Sequence, residues 1–143
     1  MSGRAFLDTN VLVYLYDTDA PEKQEAARRV LEHGADDGWL VISTQVLQEF
    51  YASVTKKFAK RLSDTEIVLA MQGLRRLRTI QVDVPMIFEA IEVARRFKIS
   101  FWDGLIVRAA LSAGCARLLT EDLQHGLRIG ALTVENPFLG SRN

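Results

Sequence analysis

Four carboxylates in this chain sit beside apolar runs, where a charge is awkward to keep: Asp8, Glu49, Asp103 and Asp122. Asp8 ends the run Ala5-Phe6-Leu7 and is followed by Thr9-Asn10. Asp122 comes just after Arg117-Leu118-Leu119-Thr120, and Asp103 opens an apolar stretch as the fourth residue of Ser100-Phe101-Trp102-Asp103. A carboxylate next to a dry core is costly unless it is paired or binds a cation. Four brought together would repel, and some would hold protons at neutral pH. Hard divalent cations remove that conflict. Mg²⁺ prefers oxygen donors and combines one or two carboxylates with water and phosphate oxygens. An all-carboxylate set without Cys or His is poor for Zn²⁺.

Such chemistry requires elements that aim these side chains at one point. Ala5-Phe6-Leu7 reads as a buried strand, and Thr9-Asn10 as the cap of a short helix running to about Tyr16. Asp17 to Pro21 reads as a turn, with Asp17 and Asp19 solvated, and the next helix covers about Glu22 to His33. Gly34 to Gly38 break it, with Asp36 and Asp37 again read as turn residues. Trp39-Leu40-Val41-Ile42 is the second strand. Ser43 or Thr44 caps a third helix, about Gln45 to Phe58, with Val46, Leu47, Phe50, Tyr51, Val54 and Phe58 on its apolar stripe. At 100° per residue Glu49 falls roughly 60° beyond the stripe's edge. That shoulder position suits a surface residue and a site residue equally.

Ser63-Asp64-Thr65-Glu66 forms a capping box for a fourth helix that runs to about Leu77. Thr79 to Val82 alternate as a third strand. Pro85 starts a fifth helix, about Met86 to Phe97. Ser100 caps a sixth, which Gly114 stops. Arg117 to Thr120 is the fourth strand, and Leu132-Thr133-Val134 the last.

Strands alternating with helices predict an α/β fold with a short-stranded, mainly parallel sheet and helices on both faces. Ligands in such sheets bind at the strands' carboxyl ends, where strand order reverses. Asp8, Glu49 and Asp122 should face that edge. Asp103 should join them, because its helix runs antiparallel to the strand it leads into. A plainer role also fits Asp103, since an acid in a first turn complements the helix dipole. Glu121 adjoins Asp122 and is the one ambiguity.

Composition narrows the partners. The chain has 143 residues, 48% hydrophobic and 25% charged, and reads as one domain over 1–143. Its formal net charge is zero, unlike a dedicated duplex-DNA binder. No apolar run approaches a membrane span, and the first residues lack a signal-peptide pattern. The lone Cys115 fits a packed thiol in a reducing compartment, so a cytoplasmic location is expected. His33 and His125 read as ordinary polar residues. No Ser-His-Asp or Cys-His set and no glycine-rich phosphate loop is present.

Four motifs in order carry a resemblance. They are Phe6-Leu7-Asp8-Thr9-Asn10, Gln48-Glu49-Phe50, Phe101-Trp102-Asp103, and Leu119-Thr120-Glu121-Asp122-Leu123-Gln124-His125-Gly126. Together they resemble the motifs of PIN-domain nucleases, and in spacing and length the VapC-type toxins of toxin–antitoxin pairs. The resemblance implies a three-layer α/β/α PIN-like fold and metal ligands at Asp8, Glu49, Asp103 and Asp122. It implies Mg²⁺ or Mn²⁺, RNA as the polymer cleaved, a cognate antitoxin and a homodimer. It places Thr9 or Asn10, together with Thr120, behind the ligands, orienting them or water.

The reaction so implied is metal-dependent phosphodiester hydrolysis, with Glu49 or Asp103 available as general base. Basic side chains at Lys56, Lys57, Arg75, Arg76 and Arg78 are candidates for gripping RNA phosphates, although the three arginines also suit the end of a helix. Phe50, Tyr51, Phe58 or the first two helices could dock the antitoxin. Two rival readings stand beside this one: a non-catalytic PIN-like interaction or RNA-binding module, and aspartyl-phosphate chemistry at Asp8. The second lacks the neighbours it needs, since position 10 is Asn and Thr120-Glu121-Asp122 stands where a lysine is wanted.

Overall fold

The computed structural model describes residues 3–34 and 39–140. The turn reading of Asp36 and Asp37 lies outside them. The strands are β1 (Ala5–Leu7), β2 (Leu40–Ser43), β3 (Arg78–Ile80), β4 (Arg117–Leu119), β5 (Arg128–Ile129) and β6 (Leu132–Glu135). The helices are α1 (Thr9–Val13), extended by a 3₁₀ turn over Tyr14–Tyr16, α2 (Pro21–Gly34), α3 (Thr44–Lys57), α4 (Asp64–Leu74), α5 (Val84–Phe97) and α6 (Phe101–Ser112).

The sheet order is β3-β2-β1-β4-β6-β5. All neighbouring pairs are parallel except β5 with β6. From β1 the chain winds outward through β2 to β3, then crosses back to lay β4 on the other side of β1. Right-handed crossovers therefore place α1 to α4 on one face and α5 with α6 on the other. The reversal falls between β1 and β4, where Leu7 is in register with Leu119. Strand ends splay apart at such a point and leave a crevice.

Both faces of the central strands are covered, and every residue of β1 and β2 is buried. Phe6, Val41, Ile42, Leu118 and Val134 are fully buried and join one core with Val11, Leu12, Val46 and Phe50. Phe50 and Phe58 are core residues, so neither is free to dock a partner. Tyr51 is half exposed and remains on the surface.

The caps of α3 and α4 follow the sequence pattern, whereas α1 is capped by Asp8 rather than by Thr9 or Asn10. Ser63 and Glu66 exchange both bonds of the capping box, and Ser43 rather than Thr44 caps α3 by accepting from Val46 N. The Thr44 hydroxyl instead accepts from Val82 N, tying the segment after β3 to the start of α3. On the second face, α5 and α6 cross closely at Gly104. A Cβ there would lie 2.7 Å from the Ala90 carbonyl oxygen. The glycine that follows Asp103 thus lets its helix seat against α5.

Other features also depart from the sequence pattern: α4 ends at Leu74, short of Leu77, and β3 covers Arg78–Ile80 rather than Thr79 to Val82. β5 has no signal in that pattern; the strand is two residues long and turns into β6 through Gly130, at φ 59°. Asp17 is not a solvated turn residue. It is buried, and Lys57 Nζ reaches it at 3.0 Å.

Candidate active site

Asp8 is the N-cap of α1, and its backbone N–H donates to the Leu119 carbonyl at 3.0 Å. This bond continues the β1–β4 ladder one residue past the strands, and it sets Asp8 beside Thr120. The Asp8 residue is 5% exposed. One carboxylate oxygen accepts from Thr9 N and the other from the Thr120 hydroxyl, each at 2.7 Å.

The Thr120 hydroxyl is saturated. It donates to Asp8 and accepts from Asp122 N at 3.0 Å and from Asn10 Nδ2 at 3.3 Å. Asn10 Nδ2 also donates to Asp122 Oδ2 at 3.1 Å. One side chain therefore holds Asp8 and, through the backbone and Asn10, Asp122.

Asp103 arrives from the opposite face of the sheet. Ser100 caps α6 by accepting from Asp103 N at 3.0 Å, which fixes the first turn and with it the side chain. Carboxylate oxygens of Asp8, Asp103 and Asp122 lie within 4.8 Å of one another. These three come from three separate segments and meet at the sheet's reversal point.

Their charges interact as that spacing demands. Burial pushes the Asp8 carboxyl up to about 7, against the pull of its bonds from Thr120 and Thr9; Asp122 and Asp103 add to the rise. The Asp103 carboxyl is also raised, first by burial and then by Asp122 and Glu49, with its bond at Ser100 opposing.

Glu49 stands outside the group of three. Its two oxygens accept from the Thr9 hydroxyl at 2.8 Å and from Gln45 Nε2 at 3.0 Å. Gln45 is itself buried and donates to the Trp102 carbonyl at 3.2 Å, linking α3 to the start of α6 across the strand ends. The spacing of Gln45 and Glu49, one helical turn apart, is a readable signal for this pair.

The ambiguity between Glu121 and Asp122 resolves in space. Glu121 turns away and bonds Tyr14 and Lys23, while Asp122 faces Asp8 and Asp103. Nothing in the sequence marks Tyr14 or Lys23 as neighbours of that bend. Aspartyl-phosphate chemistry at Asp8 gains no support, because the late-strand position where a lysine is needed is filled by Thr120.

An open cleft of about 780 Å³ borders the acids. Asn10, Glu49 and Asp122 line it near the acidic group, and Tyr14, Lys56 and Lys57 line it further out. Lys56 is exposed there, whereas Lys57 is engaged by Asp17. Arg75, Arg76 and Arg78 are elsewhere. Arg78 opens β3 at the strand's amino end, and its charge acts on Cys115, just before β4. That is the edge of the sheet opposite the acids, so the three arginines do not line the cleft.

An α/β sheet with helices on both faces gathers three aspartates at its reversal point, a group that could hold a metal ion. The PIN domain family model matches residues 5–126, and the chain belongs to that family. A comparison with curated proteins finds no match.

Solved structures share the fold. A toxin–antitoxin complex from Klebsiella pneumoniae is 18% identical, with a TM-score of 0.71 over 93% of this chain and 97% of that one. VapBC2 from Rickettsia felis, bound to a DNA fragment from its promoter, is 24% identical, with a TM-score of 0.66 over 92% and 97%. VapC20 from Mycobacterium tuberculosis, a toxin that cleaves the sarcin–ricin loop, is 20% identical, with a TM-score of 0.62 over 80% and 86%. Among the described residues, no helix is long and apolar enough to cross a membrane.

Proposed function

We propose that this protein is a cation-dependent endoribonuclease, the toxin of a toxin–antitoxin pair, working as a homodimer. The observation that carries the reading is the convergence of Asp8, Asp103 and Asp122 within 4.8 Å in a PIN fold. Its support from relatives is that similar folds occur in toxin–antitoxin complexes and in a toxin that cleaves the sarcin–ricin loop.

The residues fit a divalent cation. The donor set is all oxygen, it contains no Cys or His, and its most buried member is held up near neutrality chiefly by desolvation. Asp8, Asp103 and Asp122 would hold Mg²⁺ or Mn²⁺. When bound, the ion supplies positive charge that polarises a phosphate and acidifies water.

The chain's own groups do the rest. Thr120 and Thr9 fix both Asp8 oxygens, so the carboxylate cannot rotate away. Asn10 holds Asp122 from the cleft side. Glu49 lines the cleft and keeps a free lone pair on each oxygen after accepting from Thr9 and Gln45. It is placed to take the proton of an attacking water. Lys56, exposed in the same cleft, is placed to meet the phosphate backbone of a single-stranded or looped RNA. A cognate antitoxin would act by covering this cleft.

The test is cleavage of an RNA panel by purified protein with and without excess EDTA. Cleavage by wild type that stops on chelation and is absent in Asp8→Asn is expected. Cleavage that persists under chelation would sink the cation requirement. The dimer is checked by sedimentation of the isolated chain.

A further inference from the structure

Asp122 is the most exposed of the three aspartates. It is exposed and follows a three-residue strand, in a bend rather than a helix. Its neighbour Glu121 is tied far more heavily. Tyr14 Oη donates to one Glu121 oxygen at 2.8 Å, and Lys23 Nζ donates to the other at 3.0 Å. Lys23 also reaches Tyr14 Oη at 3.2 Å, closing a triangle. The same ammonium lies 4.9 Å from the centre of the Tyr14 ring and 5.8 Å from that of Phe138. The two rings meet edge to face at 4.9 Å.

We infer that Lys23, Tyr14 and Glu121 are positioning residues that set the bend after β4, and so present Asp122 to the cation. The inference rests on the cation site proposed above. A carboxylate next to a ligand is a hazard as well as an anchor. Left loose, Glu121 could swing toward the acids and add a fourth charge, or let the bend relax and carry Asp122 outward. Tying both of its oxygens prevents either. Each of the three residues comes from a different segment: the turn after α1, the helix α2 and the bend itself. The triangle therefore fixes the bend against the α1–α2 unit, and Asn10 on α1 already bonds Asp122. Supporting groups of this kind change cation affinity by about 10- to 100-fold when removed.

The experiment is Mn²⁺ titration by calorimetry, with no RNA present, on wild type, Glu121→Ala, Lys23→Met, Lys23→Arg and Asp122→Asn. Lys23 is half-buried, so circular dichroism in EDTA checks the fold of its variants and of the Glu121 variant alike. The expected result is about 10-fold or more loss of Mn²⁺ affinity in Glu121→Ala and Lys23→Met, with Lys23→Arg close to wild type. If Asp122→Asn loses Mn²⁺ while Glu121→Ala and Lys23→Met bind as wild type does, the positioning role is overturned and the cation site stands. If wild type itself takes up no Mn²⁺, the cation site falls and this role falls with it.

Discussion

Replacing Asp8 by an asparagine should change the sign of its effect on stability as pH rises. In the cation-free protein the Asp8 carboxyl sits at about 7, against 3.8 for the free group. Ionising it in place is therefore penalised by roughly three pH units, at ~1.4 kcal/mol each, or about 4 kcal/mol. The group's contribution to stability is intact below pH 3.8, the free group's value. It is lost progressively as pH rises through 7. The substituted amide never ionises and escapes that loss, but it brings its own cost. Its oxygen can still accept from Thr9 N. Its N–H would face Thr120 Oγ1, whose acceptor sites already serve Asn10 and Asp122 N. A buried donor without a partner costs about 1–3 kcal/mol. Asp8→Asn should thus be less stable than wild type by about 1–3 kcal/mol at pH 4, and more stable by a similar amount at pH 8. The two curves should cross at about pH 4.5–6. Urea unfolding in EDTA across this range measures it. Parallel curves, with a constant difference at every pH, would refute the argument that Asp8 is ionised against its surroundings. Saturating Mg²⁺ at pH 8 should stabilise wild type and leave Asp8→Asn nearly unmoved.

Thr120→Val keeps the shape but strips one donor and two acceptances at once; RNA cleavage should fall by about 10- to 100-fold, read by initial rates at saturating Mg²⁺. Gly104→Ala pushes a methyl group onto the Ala90 carbonyl oxygen, and should cost about 1–3 kcal/mol, a fall of several degrees in melting temperature by calorimetry. Lys56→Gln should weaken RNA binding and flatten its salt dependence, whereas Arg75→Gln, Arg76→Gln and Arg78→Gln, on the far edge, should leave both unchanged in filter binding across a salt series. Equal losses from both groups would mean that RNA wraps well beyond the cleft.

The alternation of apolar strands and amphipathic helices is enough to read the layers and most element bounds, because burial of the strands dictates both. It also places Asp8, Asp103 and Asp122 on one edge, since that follows from topology alone. What escapes depends on contacts between distant residues. Asp17 looks like any turn aspartate, but Lys57, brought across from α3, and the Asp19 N–H satisfy its buried carboxylate. The arginines after α4 are basic in sequence terms wherever they land, and helix periodicity carries no information about which sheet edge they reach. Phe50 and Phe58 lie on an apolar stripe, which is equally the signature of a core and of a docking face; burial decides for the core. β5 is too short for alternation to register.

The ladder between β1 and β4 has a consequence in time. Asp8 and Thr120 are 112 positions apart. The hydroxyl that locks the first aspartate, and the bend that carries Asp122, are made long after β1. On a ribosome, β1 would wait unpaired on that side until β4 emerges. A partly made chain therefore holds Asp8 without its companions and cannot assemble the acidic group. Whatever chemistry the three aspartates perform therefore waits until β4 and the bend after it have been made and have paired with β1.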